Sequence, residues 1–163
     1  MSFETANEFY KAGIPFCIIT DSPVVPEQYL SLSAALAAKA GLPEYEAIKA
    51  ITINPAKILK LDDRIGSIKT GKDADFVICT KNILDTQNEI KTVWKEGSIM
   101  LFKNATIYTM EQDPFVGDFK IDKGVFTQVG KDLTPDVGED VQDLNGLYVF
   151  PGLVESHCHL GME

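Results

Sequence analysis

The chain has 163 residues, 24 acidic against 15 basic side chains for a formal net charge of -9, and 45% hydrophobic residues. That length supplies one ordinary domain or two small ones, with a core that needs neither disulfides nor metal to fold. It falls short of an eight-stranded α/β barrel, which takes roughly 250 residues, and the acidic balance excludes non-specific binding to nucleic acid or an anionic membrane surface. Cys17, Cys79 and Cys158 are an odd set without CxxC spacing, so a disulfide framework is not expected. No stretch has the roughly 18 apolar residues of a spanning helix, and the first residues carry no basic and apolar leader. A soluble, reducing, cytoplasmic setting is the expectation.

In chain order, Phe3, Ala6, Phe9 and Tyr10 recur at helical spacing over residues 3–12, and Gly13 supplies a stop. Residues 14–20 form a nearly continuous apolar run, as in a strand buried on both faces of a parallel sheet, and the run ends at Asp21-Ser22-Pro23. Helices are expected from Pro26 to Ala40, closed by Gly41, then over 44–51 after Pro43, then over 55–59 with Asn54 as N-cap and Pro55 at the first helical position. Past Leu61 the alanines give way to glycines, Thr, Val, Ile and aromatics, and a domain boundary is placed at 61–64. Strands are expected at 74–79, 91–95, 98–109 with a break inside, 118–122, 125–129 and 141–144. Turns are marked by Glu96-Gly97, Asp122-Lys123-Gly124 and Asn145-Gly146. Many short strands at this spacing suggest an antiparallel sandwich or roll. Residues 147–150, Pro151-Gly152 and 153–159 then read as an arm entering a second buried strand.

The sharpest chemical feature is Ser156-His157-Cys158-His159, which holds both histidines of the chain. In a strand, side chains two apart share a face, so His157 and His159 can converge on one ion while Cys158 points away. Taken in isolation, an HxH is more simply a solvated strand end. Asp21, at the end of an apolar run, stands where α/β folds place their chemistry, as a metal ligand or general base; taken alone, an Asx turn or N-cap ahead of Ser22-Pro23 is the better explanation. Residues 66–73, GSIKTGKD, come close to a phosphate-binding loop, but Asp73 stands where a hydroxyl should meet magnesium and a strand follows where a helix is required. A β-hairpin with glycines at its turns is expected there.

Together these segments resemble the amidohydrolase superfamily of metal-dependent hydrolases, its imidazolonepropionase-like members in particular. PGLVESHCHLG resembles the first barrel strand, AGIPFCIITDSP the eighth, AIKAITINPAKILKLDDRIGSIKTGKDADFVI the helix and return into the β-sandwich, and LFKNATIYTM the N-terminal sandwich strands. The resemblance implies an α+β fold: a composite antiparallel β-sandwich domain over 62–150, helices and a last-barrel-strand remnant over 1–61, and a first barrel strand over 151–163. It implies His157, His159 and Asp21 as metal ligands, Asp21 as the catalytic proton carrier, a divalent metal with zinc the first choice, and a small amide or cyclic substrate whose C–N bond is hydrolysed. The segments stand in permuted order, the family's C-terminal piece (residues 1–99) before its N-terminal piece (100–163), and barrel strands two to seven have no counterpart. The isolated chain is therefore expected to be inactive. The alternatives are a structural β-sandwich without catalysis, and a self-associating module whose unpaired barrel strands make it a homo-oligomer. No nucleic-acid or membrane partner is expected.

Overall fold

The computed structural model describes residues 3–94 and 99–157. Its first third is helical, with α1 at Thr5–Lys11, a 3-10 turn at Glu27–Tyr29, α2 at Leu30–Lys39, α3 at Glu44–Lys49 and α4 at Ile53–Ile58. Leu30, Ala34 and Ala37 of α2 pack with Leu42, Ala47 and Ile51, and the short alanine side chains are what let these helices approach closely. The cap of α4 differs from expectation. Thr52 is the N-cap and Pro55 the third helical residue, since Thr52 is held by its hydroxyl donating to the Ile48 carbonyl at 2.7 Å. A proline is tolerated there because the first-turn N–H groups lack an intrahelical acceptor anyway.

Residues 14–20 are extended but form no strand, and Ile14 and Ile19 are exposed, which corrects the doubly buried strand expected there. A ladder needs a neighbouring strand. Among the described residues this segment runs instead beside the corner between α3 and α4, where the Ile18 N–H donates to the Ala50 carbonyl at 2.9 Å. Residues 152–157 are likewise extended without strand pairing, and the Val154 N–H donates to the Ile51 carbonyl of the same corner at 2.9 Å.

The remainder is a sheet of seven strands: β1 Phe76–Cys79, β2 Ile90–Trp94, β3 Met100–Ile107, β4 Phe115–Asp122, β5 Val125–Gly130, β6 Asp140–Asp143 and β7 Tyr148–Pro151. The order is β2-β1-β7-β3-β4-β5, with β6 also paired to β3. The α+β class stands, but the sheet is mixed and not wholly antiparallel, because β6 and β7 both run parallel to β3. The break expected inside the 98–109 run is present. The register shifts between Phe102 and Ala105, where Asn104 has φ 56, and β3 thereby pairs β6 through residues 100–103 and β7 through 106–107. Residues 66–73 are a loop and not a hairpin. Their backbone joins β5 instead, through the Gly71 N–H to Phe126 carbonyl (2.8 Å) and Phe126 N–H to Lys72 carbonyl (2.9 Å) bonds. The turn expected at Glu96-Gly97 lies outside the described residues.

The sheet curls on itself around a phenylalanine core. Two strands separate β1 from β4, which in a flat sheet would put them about 14 Å apart at ~4.8 Å per step, yet the rings of Phe76 and Phe119 are 5.1 Å centroid to centroid. Phe102 stacks on Phe119 at 4.7 Å and Phe126 closes the cluster at 5.8 Å from Phe76. Alternation in β1 sends Phe76 and Ile78 into this core and Val77 and Cys79 to the other side, against Ile48, Ile53 and Phe150. That double burial is why FVIC reads as an unbroken apolar run, and it docks the helices onto the sheet.

Candidate metal site

The site lies where the two extended segments meet. The first ends at Thr20, and the chain turns back at once: the Val25 N–H donates to the Thr20 carbonyl at 3.3 Å and the Val24 N–H to the Asp21 carbonyl at 2.9 Å, with Asp21 in the left-handed region at φ 54. Asp tolerates that conformation better than most L-residues. The second segment leaves β7 through Gly152, whose N–H donates to the Asp75 carbonyl at 3.0 Å.

Three side-chain contacts join the segments. Glu155 Oε2 accepts from both the Thr20 N–H at 3.0 Å and the Thr20 Oγ1 hydroxyl at 2.7 Å. Cys17 Sγ lies 3.3 Å from Ser156 Oγ. His157 Nε2 lies 3.3 Å from Asp21 Oδ1. Two of the sequence-derived site residues, Asp21 and His157, are thus brought together from positions 136 apart, while His159 and Cys158 lie outside the described residues. Sequence reasoning missed Glu155 and Thr20. The available signal was positional: Glu155 is two residues before His157, on the same side of an extended chain, and Thr20 directly precedes Asp21.

The donor set suits a divalent metal. A carboxylate oxygen and an imidazole nitrogen are ordinary zinc ligands, and two ligands at about 2.0–2.1 Å from one tetrahedral ion stand about 3.3 Å apart; the Asp21 and His157 atoms are separated by 3.3 Å. As a bare ion pair the contact would contribute little, because both side chains are about half exposed, 46% and 55%. Among the described residues no group of three His, Cys, Asp or Glu side chains assembles. His159 is the expected further ligand.

A second polar cluster, which no motif announced, joins residues 67–72 to Glu111. Lys72 is buried and donates to Ser67 Oγ at 2.6 Å, Ser67 donates to Glu111 Oε1 at 2.7 Å, and Lys69 reaches Glu111 Oε2 at 3.3 Å. Burial pushes the Glu111 carboxyl up, but the Ser67 hydrogen bond and the Lys69 and Lys72 charges outweigh it and leave it below the usual carboxylate range. Lys69, Lys72 and Glu111, with Lys57, Asp62 and Asp63, line a cleft of about 520 Å³. The Ser67 hydroxyl thus links Lys72 to Glu111.

Residues 3–100 match the model of the amidohydrolase family. The chain belongs to the amidohydrolase family. Amidohydrolase tasK from Hapsidospora irregularis is 34% identical over 89 residues, which are 55% of this chain and 9% of that protein. The imidazolonepropionase of Thermoplasma volcanium is 38% identical over 107 residues, 61% of this chain and 26% of that one. In structure the amidohydrolase chain resembles an amidohydrolase from Thermotoga maritima MSB8, with a TM-score of 0.56 and 39% identity over 57% of this chain and 24% of the other. The chain therefore spans about a quarter or less of the length of these relatives. The family generally binds divalent metals and hydrolyses small molecules. No helix among the described residues is long and apolar enough to cross a membrane.

Proposed function

We propose that this chain carries one edge of the metal site of an amidohydrolase that hydrolyses a C–N bond in a small amide or cyclic substrate. The observation that carries the reading is the 3.3 Å approach of Asp21 Oδ1 to His157 Nε2 across 136 residues of sequence. His157, His159 and Asp21 would hold the ion, with zinc the first choice. When bound, the metal supplies a Lewis acid that polarises a carbonyl and acidifies water. Asp21, half exposed at a chain reversal, is placed to accept a proton from the attacking water and return it to the leaving nitrogen. Glu155 and Thr20 hold the backbone on either side.

The same reading takes residues 62–150 as the composite sandwich of the family, with 1–61 and 151–163 as the barrel-derived pieces, joined in permuted order near residue 100. Two observations support it. The family match stops at residue 100, where β3 begins. Strands from both sides of that junction share one sheet, β7 pairing with β1 across it. A composite sheet keeps natural termini close, so that rejoining them costs little loop-closure entropy. With two histidines in the whole chain, the remaining ligands of a complete site have no source here. Turnover by the isolated chain should be negligible, in a cytoplasmic setting and as a homo-oligomer through its unpaired segments. Elemental analysis of the purified chain beside His157→Ala tests the reading, with metal expected in the first and absent from the second; hydrolysis of cyclic imides lost in His157→Ala would overturn the inactivity. A purely structural module is the second reading, favoured by the fully buried phenylalanine core. It requires cooperative unfolding indifferent to chelator and to added zinc.

A further inference from the structure

We infer that Glu155 is a positioning residue that sets the separation of Asp21 and His157; the inference rests on the metal-site reading above. Among the described residues the segments 14–20 and 152–157 share no strand ladder. Glu155 ties them together with one carboxylate. Its Oε2 takes the N–H and the hydroxyl of Thr20, the residue before Asp21, at 3.0 and 2.7 Å, and its Oε1 accepts from the N–H of His157 itself at 3.3 Å. The backbones at residues 20 and 157 therefore hang on the same side chain. Thr20 is 3% exposed, so on its side of the clamp a lost charge-assisted hydrogen bond leaves an unsatisfied buried donor. With both oxygens engaged, Glu155 orients ligands and is not one. The Cys17–Ser156 contact at 3.3 Å is a weaker companion, because sulfur and hydroxyl are both neutral.

The test is a cobalt(II) titration of the full chain, read by competition with a chromogenic chelator and by the d–d absorption of the bound ion, for the unsubstituted chain, His157→Ala, Glu155→Gln, Thr20→Val and Thr20→Ser. Loss of such an outer-shell partner typically weakens metal binding about 10- to 100-fold. That loss is expected for Glu155→Gln and Thr20→Val with an altered d–d band, while Thr20→Ser, which keeps the hydroxyl, restores affinity to near that of the unsubstituted chain. Should Glu155→Gln not fold, the Thr20→Val and Thr20→Ser pair decides the matter. Unchanged affinity and band shape in Thr20→Val and Glu155→Gln, with His157→Ala abolishing binding, would overturn the positioning role and leave the metal reading standing. Equal binding by the unsubstituted chain and His157→Ala, or none by either, overturns the metal reading and the positioning role with it.

Discussion

The sheet and the candidate site are built on opposite terms. In the sheet, Phe76, Phe102, Phe119, Phe126 and Phe150 are fully buried against residues of this chain. At the site, Asp21 and His157 are about half exposed, and their segments rest on side-chain hydrogen bonds and a helix corner in place of a ladder. Stability and chemistry are thus separated in space. The sheet closes its own apolar surface, whereas the site presents donors that are worth little to the fold until something occupies them.

Substitutions in the two regions should therefore diverge, and the largest effect belongs to the core. Phe119→Ala should cost about 3–5 kcal/mol in denaturant unfolding, through lost burial and the cavity left among three other rings, while His157-dependent cobalt affinity of the folded fraction stays unchanged. A matching loss of affinity would show that site and sheet are one cooperative unit. Next comes Gly66→Ala. Its φ of +85 disfavours any Cβ, and the added carbon would lie 2.7 Å from the Ala56 Cβ and 3.0 Å from the Thr52 carbonyl; a loss of about 1–3 kcal/mol is expected by the same measurement. Lys72→Met should cost about 1–3 kcal/mol, because it leaves Ser67 and Glu111 without their buried donor.

The pH dependence follows from the same cluster. The folded-state Glu111 carboxyl is held below its unfolded value, so its contribution is fully present above about pH 4.3 and is lost as pH falls through the folded value. Acid titration of the unfolding midpoint should show this decline, and Lys72→Met should flatten it. Lys120 behaves with opposite sign. Hydrogen bonds to Asp136 and Glu139 raise its ammonium, so that contribution holds below its unfolded value and fades as pH rises through the folded one. The smallest stability effect is at the site. Asp21→Asn should change unfolding free energy by no more than about 0.5 kcal/mol while removing metal uptake, the sharpest form of the contrast between the two regions.

Much of the local structure was legible because it depends on neighbours in the chain. Helical apolar spacing, the prolines before α3 and inside α4, and period-two runs in β3 to β5 announced their elements, and Lys123-Gly124 and Asn145-Gly146 have the positive φ values that their turn signals imply. The errors have physical causes. An unbroken apolar run such as residues 14–20 says that a segment avoids water but not which surface it meets, and here that surface is a helix corner. GSIKTGKD has hairpin glycines, yet its partner is β5, some fifty residues on. For the candidate site, Asp21 and His157 were named from motifs, whereas the bond between Glu155 and Thr20 was not, since nothing local ties residue 155 to residue 20.

The sequence by itself determined the family to which the chain belongs and most of its helices and strands, because side-chain identity and short-range periodicity are written in the order of the residues. The tertiary structure alone decided that β3 switches partners at Asn104, that the sheet curls until Phe76 meets Phe119, and that Asp21 stands 3.3 Å from His157. Those are distances between residues remote along the chain. They are set by how all the buried surfaces fit at once, which no local pattern encodes.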